Sequence, residues 1–587
     1  MIKTFSKFLK PYKWQFAIAS LCIIIECALE VALPFLMNAM TKNGIQQDNL
    51  GSYTMDLNYV LIIGSIMLGI AIVAFLLGIV GAKYSAIACR GLGYEIRKEE
   101  YKKLQNYSFS NVDSFRQSSL ITRLTTDVQI ISDALCASLR PALRAPLVMI
   151  FSLTFSLIIS PKLSLIFLIS IVFLAIIMFS IIKLVKPRFK LIQKLVDNIN
   201  RITQESIIAI KTIKAYVKKD YELIKFEAAS KELKETSTKT FSINALSMPA
   251  GQIANYATMI AIVYFGGLMT MSTNAILMVE DIQTFLTYVL QLLATVMMFS
   301  NVLMAINRAN ASLCRVKEVL DTNSEIINQE NSTLKIKDGS IEFKNVDFEY
   351  EETSDEYVLK DINFKINSGE FVGIIGQTGS SKSTLVYLME RFYETSSGDI
   401  FISNQNIKDY SLEEVRKAIS ISFQSPTLFK GTVLENLKWG NKDASEKEII
   451  EACKVADCFD FIQNKLSDGF NTTISQGGTS VSGGQRQRLC IARALIKKPK
   501  ILILDDSFSA LDKITEARVK KNLKNILPDM TKVVISQKIS TIQDADKIIV
   551  LNNGKISNIG THEELLAKDD IYKDIYNLQV LGGDKDE

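Results

Sequence analysis

The sequence predicts an all-α bundle of six membrane-spanning helices fused to an α/β domain with a parallel sheet, and three observations predict it. Apolar runs of membrane length occur only before about residue 310. Beyond that point short β-rich runs alternate with helical patterns, the order expected of a parallel sheet with crossover helices. A glycine-rich loop, Gly376 to Thr384, joins one such strand to one such helix. Composition agrees: of 587 residues, 48% are apolar and 22% charged, with a mean hydropathy of +0.18. A soluble chain of this length needs a more polar surface. The net charge of +5 is too small an excess to argue for a nucleic-acid partner. The eight cysteines form no C-x-x-C pair, which argues against zinc ribbons and disulfide scaffolds, and His562 is the only histidine.

Six runs reach the length of about 20 residues that a helix needs to cross a bilayer core: 14–40, 58–80, 142–160, 162–185, 247–270 and 283–306. The Ser160–Pro161 step separates the third from the fourth. Pro249, Gln252, Asn255 and Asn301 make the fifth and sixth the least uniform, as for helices facing a bundle interior or water. Basic residues set the orientation. The N-terminal stretch carries Lys3, Lys7, Lys10 and Lys13. The connections 83–141 and 186–246 are rich in Lys and Arg, whereas 41–57, 160–163 and 271–282 hold few. Both termini and both long loops are therefore expected on the cytosolic side of the membrane, and the abundance of Lys, Ile and Asn points to a bacterial cytoplasmic membrane. Those loops keep apolar residues at helical spacing, as in Leu191, Ile192, Leu195, Ile199 and Ile202. They read as helices continuing past the membrane; about 25 residues would reach roughly 40 Å.

Glu26 and Glu30 lie four apart on the first span and share a face. A carboxylate at mid-membrane costs roughly 2.5–3.5 kcal/mol unless it meets water or a partner. One reading is a water-filled cavity favouring cationic amphiphiles. The other has Glu26 paired with a neighbouring helix and Glu30 near the outer interface.

The chain divides into a helical membrane domain, 1–315, a linker, 316–337, and an α/β nucleotide-binding domain, 338–587. In the last, Gly376-Gln377-Thr378-Gly379-Ser380-Ser381-Lys382-Ser383-Thr384 follows the apolar run Phe371 to Ile375 and precedes a helical run. Strand, loop and helix in that order make a phosphate cradle of backbone N–H groups. Lys382 would neutralise the β- and γ-phosphates of ATP, and Ser383 would ligate Mg²⁺. Ser381 replaces the glycine usual before the lysine. If that position needs a positive φ, its side chain costs on the order of 1 kcal/mol. Ile501-Leu502-Ile503-Leu504-Asp505 is an apolar strand ending in a carboxylate placed for the metal and its waters. Tyr350 is an aromatic upstream that would stack on a base, and Gln424 is a polar side chain between the two strands. Ser482-Gly483-Gly484-Gln485 opens a helix and makes a second anion-binding nest.

With these motifs in this order, the chain resembles an ATP-binding cassette (ABC) exporter half-transporter of the type IV fold along essentially its whole length. The resemblance implies an ATPase and translocase that works as a dimer, each ATP held between one subunit's phosphate loop and the other's signature. It implies that Tyr350 stacks on adenine, that Gln424 senses Mg²⁺ beside Ser383 and Asp505, and that Val481 to Gln485 is the signature. Ser509-Ala510-Leu511-Asp512 then joins the two sites, and coupling helices are expected near Asn111–Ser118 and Val217–Leu223.

Two positions depart from the family. Its catalytic glutamate is Asp506 here, and its switch histidine is Gln537. An aspartate falls short of the attacking water by about 1 Å, and misplacement on that scale costs about 10²-fold. Loss of a general base costs about 10²- to 10⁴-fold. Gln537 cannot carry positive charge. The signature is intact, and this asymmetry resembles one subunit of the heterodimeric bacterial multidrug exporters. A second half-transporter with the glutamate, the histidine and a degraded signature is then the expected partner, with a hydrophobic small molecule as cargo. A lipid or peptide exporter on the same scaffold, and a regulatory subunit gated by ATP without transport, are the alternatives.

Overall fold

The computed structural model describes residues 2–47, 53–271, 277–329, 332–350 and 357–583. It divides into two compact units, 1–105 with 118–321 and 106–117 with 322–587. The first is helical, with long helices at Lys13–Gly44, Leu57–Gln105, Val128–Ile159, Pro161–Ile208, Ser247–Thr270 and Val279–Asp321. Among the described residues, five helical stretches are long and apolar enough to cross a membrane. Val279–Asp321 covers the sixth predicted run; the side chain of Asn301 lies outside the described residues.

The 49 residues of Leu57–Gln105 and the 48 of Pro161–Ile208 correspond to about 70 Å of helix, over twice a bilayer core. Both therefore run on past the apolar spans, as their loop periodicity predicts. Pro161 takes the first turn, where its missing N–H costs nothing, and Ser160 caps it by accepting from Leu163 N–H at 3.5 Å. The outward side of Leu57–Gln105 presents Leu61, Leu68, Ile72, Phe75 and Leu76, all exposed, which suits a lipid solvent. Ile23, Cys27, Val31, Val148, Leu163, Phe167, Ile262 and Phe285 form the interior. Tyr288 closes it by donating to the Val31 carbonyl at 3.1 Å. The last helix of this unit ends at Asp321, inside the segment read as a linker.

Glu26 meets a neighbouring helix. Arg140 donates to it at 2.5 Å, Arg144 lies at 3.6 Å, and Arg144 also pairs with Glu30 at 2.6 Å. Two arginines balance two carboxylates, so this face carries no uncompensated negative charge. The cavity reading of Glu26 gives way to the paired one, because a partner within hydrogen-bond reach removes the insertion cost.

In the second unit the main sheet runs Lys555–Gly560, Lys547–Asn552, Phe371–Gly376, Thr531–Ile535, Ile501–Asp505, Ile419–Ser422. All neighbours are parallel except the first pair. A four-stranded antiparallel sheet built on Ile341–Phe348 packs beside it, sharing the core of Ile374, Leu385, Ile503 and Val533. Strands Phe371–Gly376 and Ile501–Asp505 read as nearly continuous apolar runs because both faces are buried, and Thr531–Ile535, also buried throughout, is apolar from Val533 to Ile535. Their carboxyl ends lie side by side, which is where open α/β sheets bind ligands.

Candidate nucleotide site

The phosphate loop follows from close packing at one end and a forced turn at the other. A Cβ on Gly376 would lie 2.1 Å from the Leu551 carbonyl oxygen, so only glycine fits there. Gly379 has φ +86°, open to glycine at little cost. Ser381 sits at φ +67°, ψ +28°, in the left-handed region, as the N-cap of helix Lys382–Met389. The strain foreseen for a side chain at that position is therefore present.

Lys382 Nζ donates to the carbonyls of Gly376 at 3.0 Å and Gln377 at 2.8 Å and to Ser380 Oγ at 3.3 Å. Burial lowers its pKa, while Asp506 and Asp505 act in the opposite sense. Across from it, Ser383 Oγ donates to Asp505 Oδ1 at 3.1 Å. Asp505 Oδ2 is buried without a hydrogen-bond partner among the described residues. Burial pushes the Asp505 carboxyl above its usual range, and Asp506 adds to this. Gln424 Nε2 donates to Asp506 Oδ2 at 3.4 Å. Burial also raises Asp506, opposed by Gln424, Lys382 and Lys538.

These residues share one cavity of about 370 Å³, lined by Tyr350, Thr378, Gly379, Ser381, Lys382, Ser383, Thr384, Gln424, Asp505, Asp506 and Gln537, with Val358 and Ile535. Among the described residues no group of three or more His, Cys, Asp or Glu side chains is placed to hold a metal. Mg²⁺ takes one or two protein oxygens and completes its shell with phosphate and water. A hydroxyl beside a carboxylate with an unpartnered oxygen is such a donor set. Tyr350 presents its ring at the cavity edge, its hydroxyl 2.8 Å from Thr384 Oγ1.

The signature residues are elsewhere. Ser482 caps helix Gly483–Ile496 through a reciprocal pair with Gln485, and Gly483 has open space where a Cβ would be. Ser482, Gly483, Gly484 and Gln485 do not line the cavity, so within one chain the two halves of the motif set stay apart. His562 does not line the cavity either; its Nδ1 lies 2.7 Å from Tyr572 Oη.

Two sets of contacts were not legible in the sequence. Helix Phe109–Ser114, close to the first expected coupling segment, is capped by Ser108 and groups with the nucleotide domain. Tyr393 Oη donates to Asp113 at 2.6 Å, Phe109 lies 4.4 Å from the Phe392 ring, and Tyr393 packs edge-on to Tyr350 at 5.2 Å. An aromatic path thus links the cavity edge to this loop. The second involves Gln579, whose side chain bonds the backbone around Lys538. Tyr393 and Gln579 belong to no string that marks them. At the second expected coupling segment, Val217 adopts φ +52° between helices Ile210–Ala215 and Lys219–Ala245.

Residues 16–296 match the family described as ABC transporter transmembrane region, and 359–509 match that described as ABC transporter. The chain is 36% identical to the uncharacterized ABC transporter ATP-binding protein YfiB of Bacillus subtilis, over 97% of both chains. It is 30% identical to the ATP-dependent lipid A-core flippase of Syntrophus aciditrophicus, covering 99% of this chain and 94% of the other. Among solved structures, a bacterial Atm1-family ABC exporter with ATP bound aligns with a TM-score of 0.81 over 96% of this chain and 99% of that one. At 23% identity that likeness speaks to the fold.

Proposed function

This chain belongs to the ABC transporter family, as an exporter with fused transmembrane and nucleotide-binding regions, and on that premise we propose that its own nucleotide site binds Mg²⁺-ATP but turns it over slowly. Its domain is an ATPase and translocase by family, and exporters of this kind work as dimers. The observation that carries the proposal is that Asp506 and Gln537 both line the cavity that holds the phosphate loop. Bound Mg²⁺-ATP supplies the phosphoryl group whose transfer to water drives transport. Around it, Lys382 and the loop N–H groups bind the phosphates, Ser383 and Asp505 hold the metal, and Gln424 positions the Asp506 carboxylate. Asp506 would orient the attacking water, from a side chain one methylene shorter than the family's glutamate.

The intact signature would complete the corresponding site of a second subunit that carries the glutamate and histidine, giving a heterodimeric exporter in a bacterial cytoplasmic membrane with both termini cytosolic. Hydrophobic or amphiphilic compounds are the cargo on this reading. A lipid cargo is the second reading, favoured by the Syntrophus relative, a lipid A-core flippase. The test is Mg²⁺-ATPase of the chain purified alone in lipid nanodiscs, with Lys382→Ala as control. Retained ATP binding with negligible turnover is expected. Brisk turnover that Lys382→Ala abolishes would overturn the slow-site proposal. Headgroup-labelled phospholipid flip in proteoliposomes, measured beside flux of a lipophilic dye, separates the two cargo readings.

A further inference from the structure

A three-residue connection, 536–538, follows the strand Thr531–Ile535, and helix Ile539–Ile542 begins just after it. Its N-cap, Lys538, has extended backbone and supplies no side-chain cap. A helix start without a cap leaves its first N–H groups in need of partners. Here the partner comes from the C-terminal helix Asp570–Gly583. Gln579 Oε1 accepts from Ile539 N–H at 2.9 Å, and Gln579 Nε2 donates to the Gln537 carbonyl at 2.7 Å. Only one orientation of the amide satisfies both bonds, since one partner is a donor and the other an acceptor. The side chain thus spans Lys538 as a neighbouring strand would. Within the segment, Lys538 N–H donates to Ser536 Oγ at 3.0 Å, and Ser536 N–H to the Ile374 carbonyl at 3.2 Å.

The helix that carries Gln579 is itself anchored. Tyr572 is fully buried, and its hydroxyl meets His562 Nδ1 at 2.7 Å. Ile571, Ile575 and Tyr576 pack on the core. The sole histidine therefore fastens the helix that holds the segment carrying Gln537.

We propose that Gln579 is a positioning residue: by clamping the backbone on both sides of Lys538 it holds Gln537 facing the nucleotide cavity, where the Gln537 amide would meet the γ-phosphate. The proposal rests on the reading that this cavity takes ATP. It gives a specific signature, because ADP has no γ-phosphate for Gln537 to reach. Loss of the clamp weakens ATP and spares ADP.

The experiment measures Mg²⁺-ATP and Mg²⁺-ADP affinity of the full-length protein in nanodiscs. The variants are Gln579→Ala, Gln579→Glu, Gln537→Ala and the Gln537→Ala/Gln579→Ala double, with thermal unfolding of each. Gln579→Ala is expected to weaken ATP roughly two- to tenfold, the scale of one or two hydrogen bonds, with ADP affinity and unfolding midpoint held. Gln579→Glu keeps the acceptor for Ile539 N–H but sets a carboxylate oxygen against the Gln537 carbonyl, so it too should weaken ATP relative to ADP. In the double variant the two losses should not add, since both act through one contact. An unchanged ATP-to-ADP preference in both Gln579 variants overturns the clamp. So does an equal loss of both nucleotides, the mark of a purely structural role. If Lys382→Ala leaves ATP binding intact, the nucleotide reading itself falls, and the clamp with it.

Discussion

Replacing Asp506 by glutamate tests the chemistry most directly. Among the described residues the Asp506 carboxylate accepts from Gln424 alone, at 3.4 Å, and the residue sits at φ +46°. One further methylene carries the carboxylate about 1 Å deeper into the cavity, and catalytic groups misplaced by that much cost about 10²-fold. Gln537 remains uncharged in the variant, so recovery should fall short of a full general-base contribution of about 10²- to 10⁴-fold. Asp506→Glu is therefore expected to raise kcat by about 10- to 10²-fold with KM little changed. Left-handed backbone suits aspartate better than glutamate, so the variant should also lose a little stability, under about 1 kcal/mol. The assay is Mg²⁺-ATPase in nanodiscs on the chain alone, where every assembled site contains an intact signature. Asp506→Asn provides the opposite control and should remove residual turnover. Burial holds the Asp506 carboxyl above its usual range, so residual activity should fade on the acid side at a pH higher than an exposed aspartate would give. No gain in Asp506→Glu, or full activity in Asp506→Asn, would refute the assignment of Asp506 to the water.

Ser381→Gly should relieve the left-handed strain at φ +67°, raising the unfolding midpoint of the nucleotide domain by the equivalent of about 1 kcal/mol; an unchanged midpoint would mean the strain is already compensated. Glu26→Gln leaves Arg140 without its 2.5 Å charged partner in the membrane half, and because the Arg140 side chain is 43% exposed the cost should fall below the roughly 3–5 kcal/mol of a fully buried pair. The variant should give low yield in membranes, recovered by pairing it with Arg140→Gln, whereas normal yield of the single variant would show the pair to be dispensable. Glu100, on the extension of Leu57–Gln105, is fully buried and its carboxylate oxygens have no hydrogen-bond partner among the described residues. Burial, and secondarily Asp127, raise its pKa from 4.5 to about 7, against Arg123 and Arg97. A raised carboxylate favours the protonated fold, so its stability is complete below about pH 4.5 and is lost as pH rises through about 7. The shift corresponds to at most about 3 kcal/mol. Wild type should lose more stability than Glu100→Gln between pH 5 and 8, and equal slopes in thermal unfolding would exclude Glu100 as the source.

The membrane half was legible because its solvent is uniform. Lipid demands long apolar runs, and Leu57–Gln105 meets that demand with an outward face of Leu, Ile and Phe. What the periodicity did not reveal was partnership. Glu26 looked the same whether it faced water or an arginine, and only the packing of Val128–Ile159 against the first helix brought Arg140 within reach. The count of spans depends on length and composition, whereas the meaning of a buried charge depends on which helix lies beside it.

The nucleotide site divides along a similar line, according to how far apart in the chain its parts lie. The phosphate loop is nine consecutive residues whose backbone does the work, so its residue types announce it, down to the strained Ser381. Asp505 and Asp506 are fixed by a strand that must be apolar on both faces. Tyr393 and Asp113 are 280 residues apart, and Gln579 and Gln537 are 42 apart. A tyrosine or a glutamine on a helix is compatible with any surface, and nothing local asks for either. Yet these side chains decide how the cavity is connected: Tyr393 ties its aromatic edge to helix Phe109–Ser114, and Gln579 ties its far wall to the C-terminal helix. Motifs therefore identify the atoms that meet the nucleotide. The contacts that orient those atoms come from the fold, and it is there that two chains with the same motifs can differ in rate.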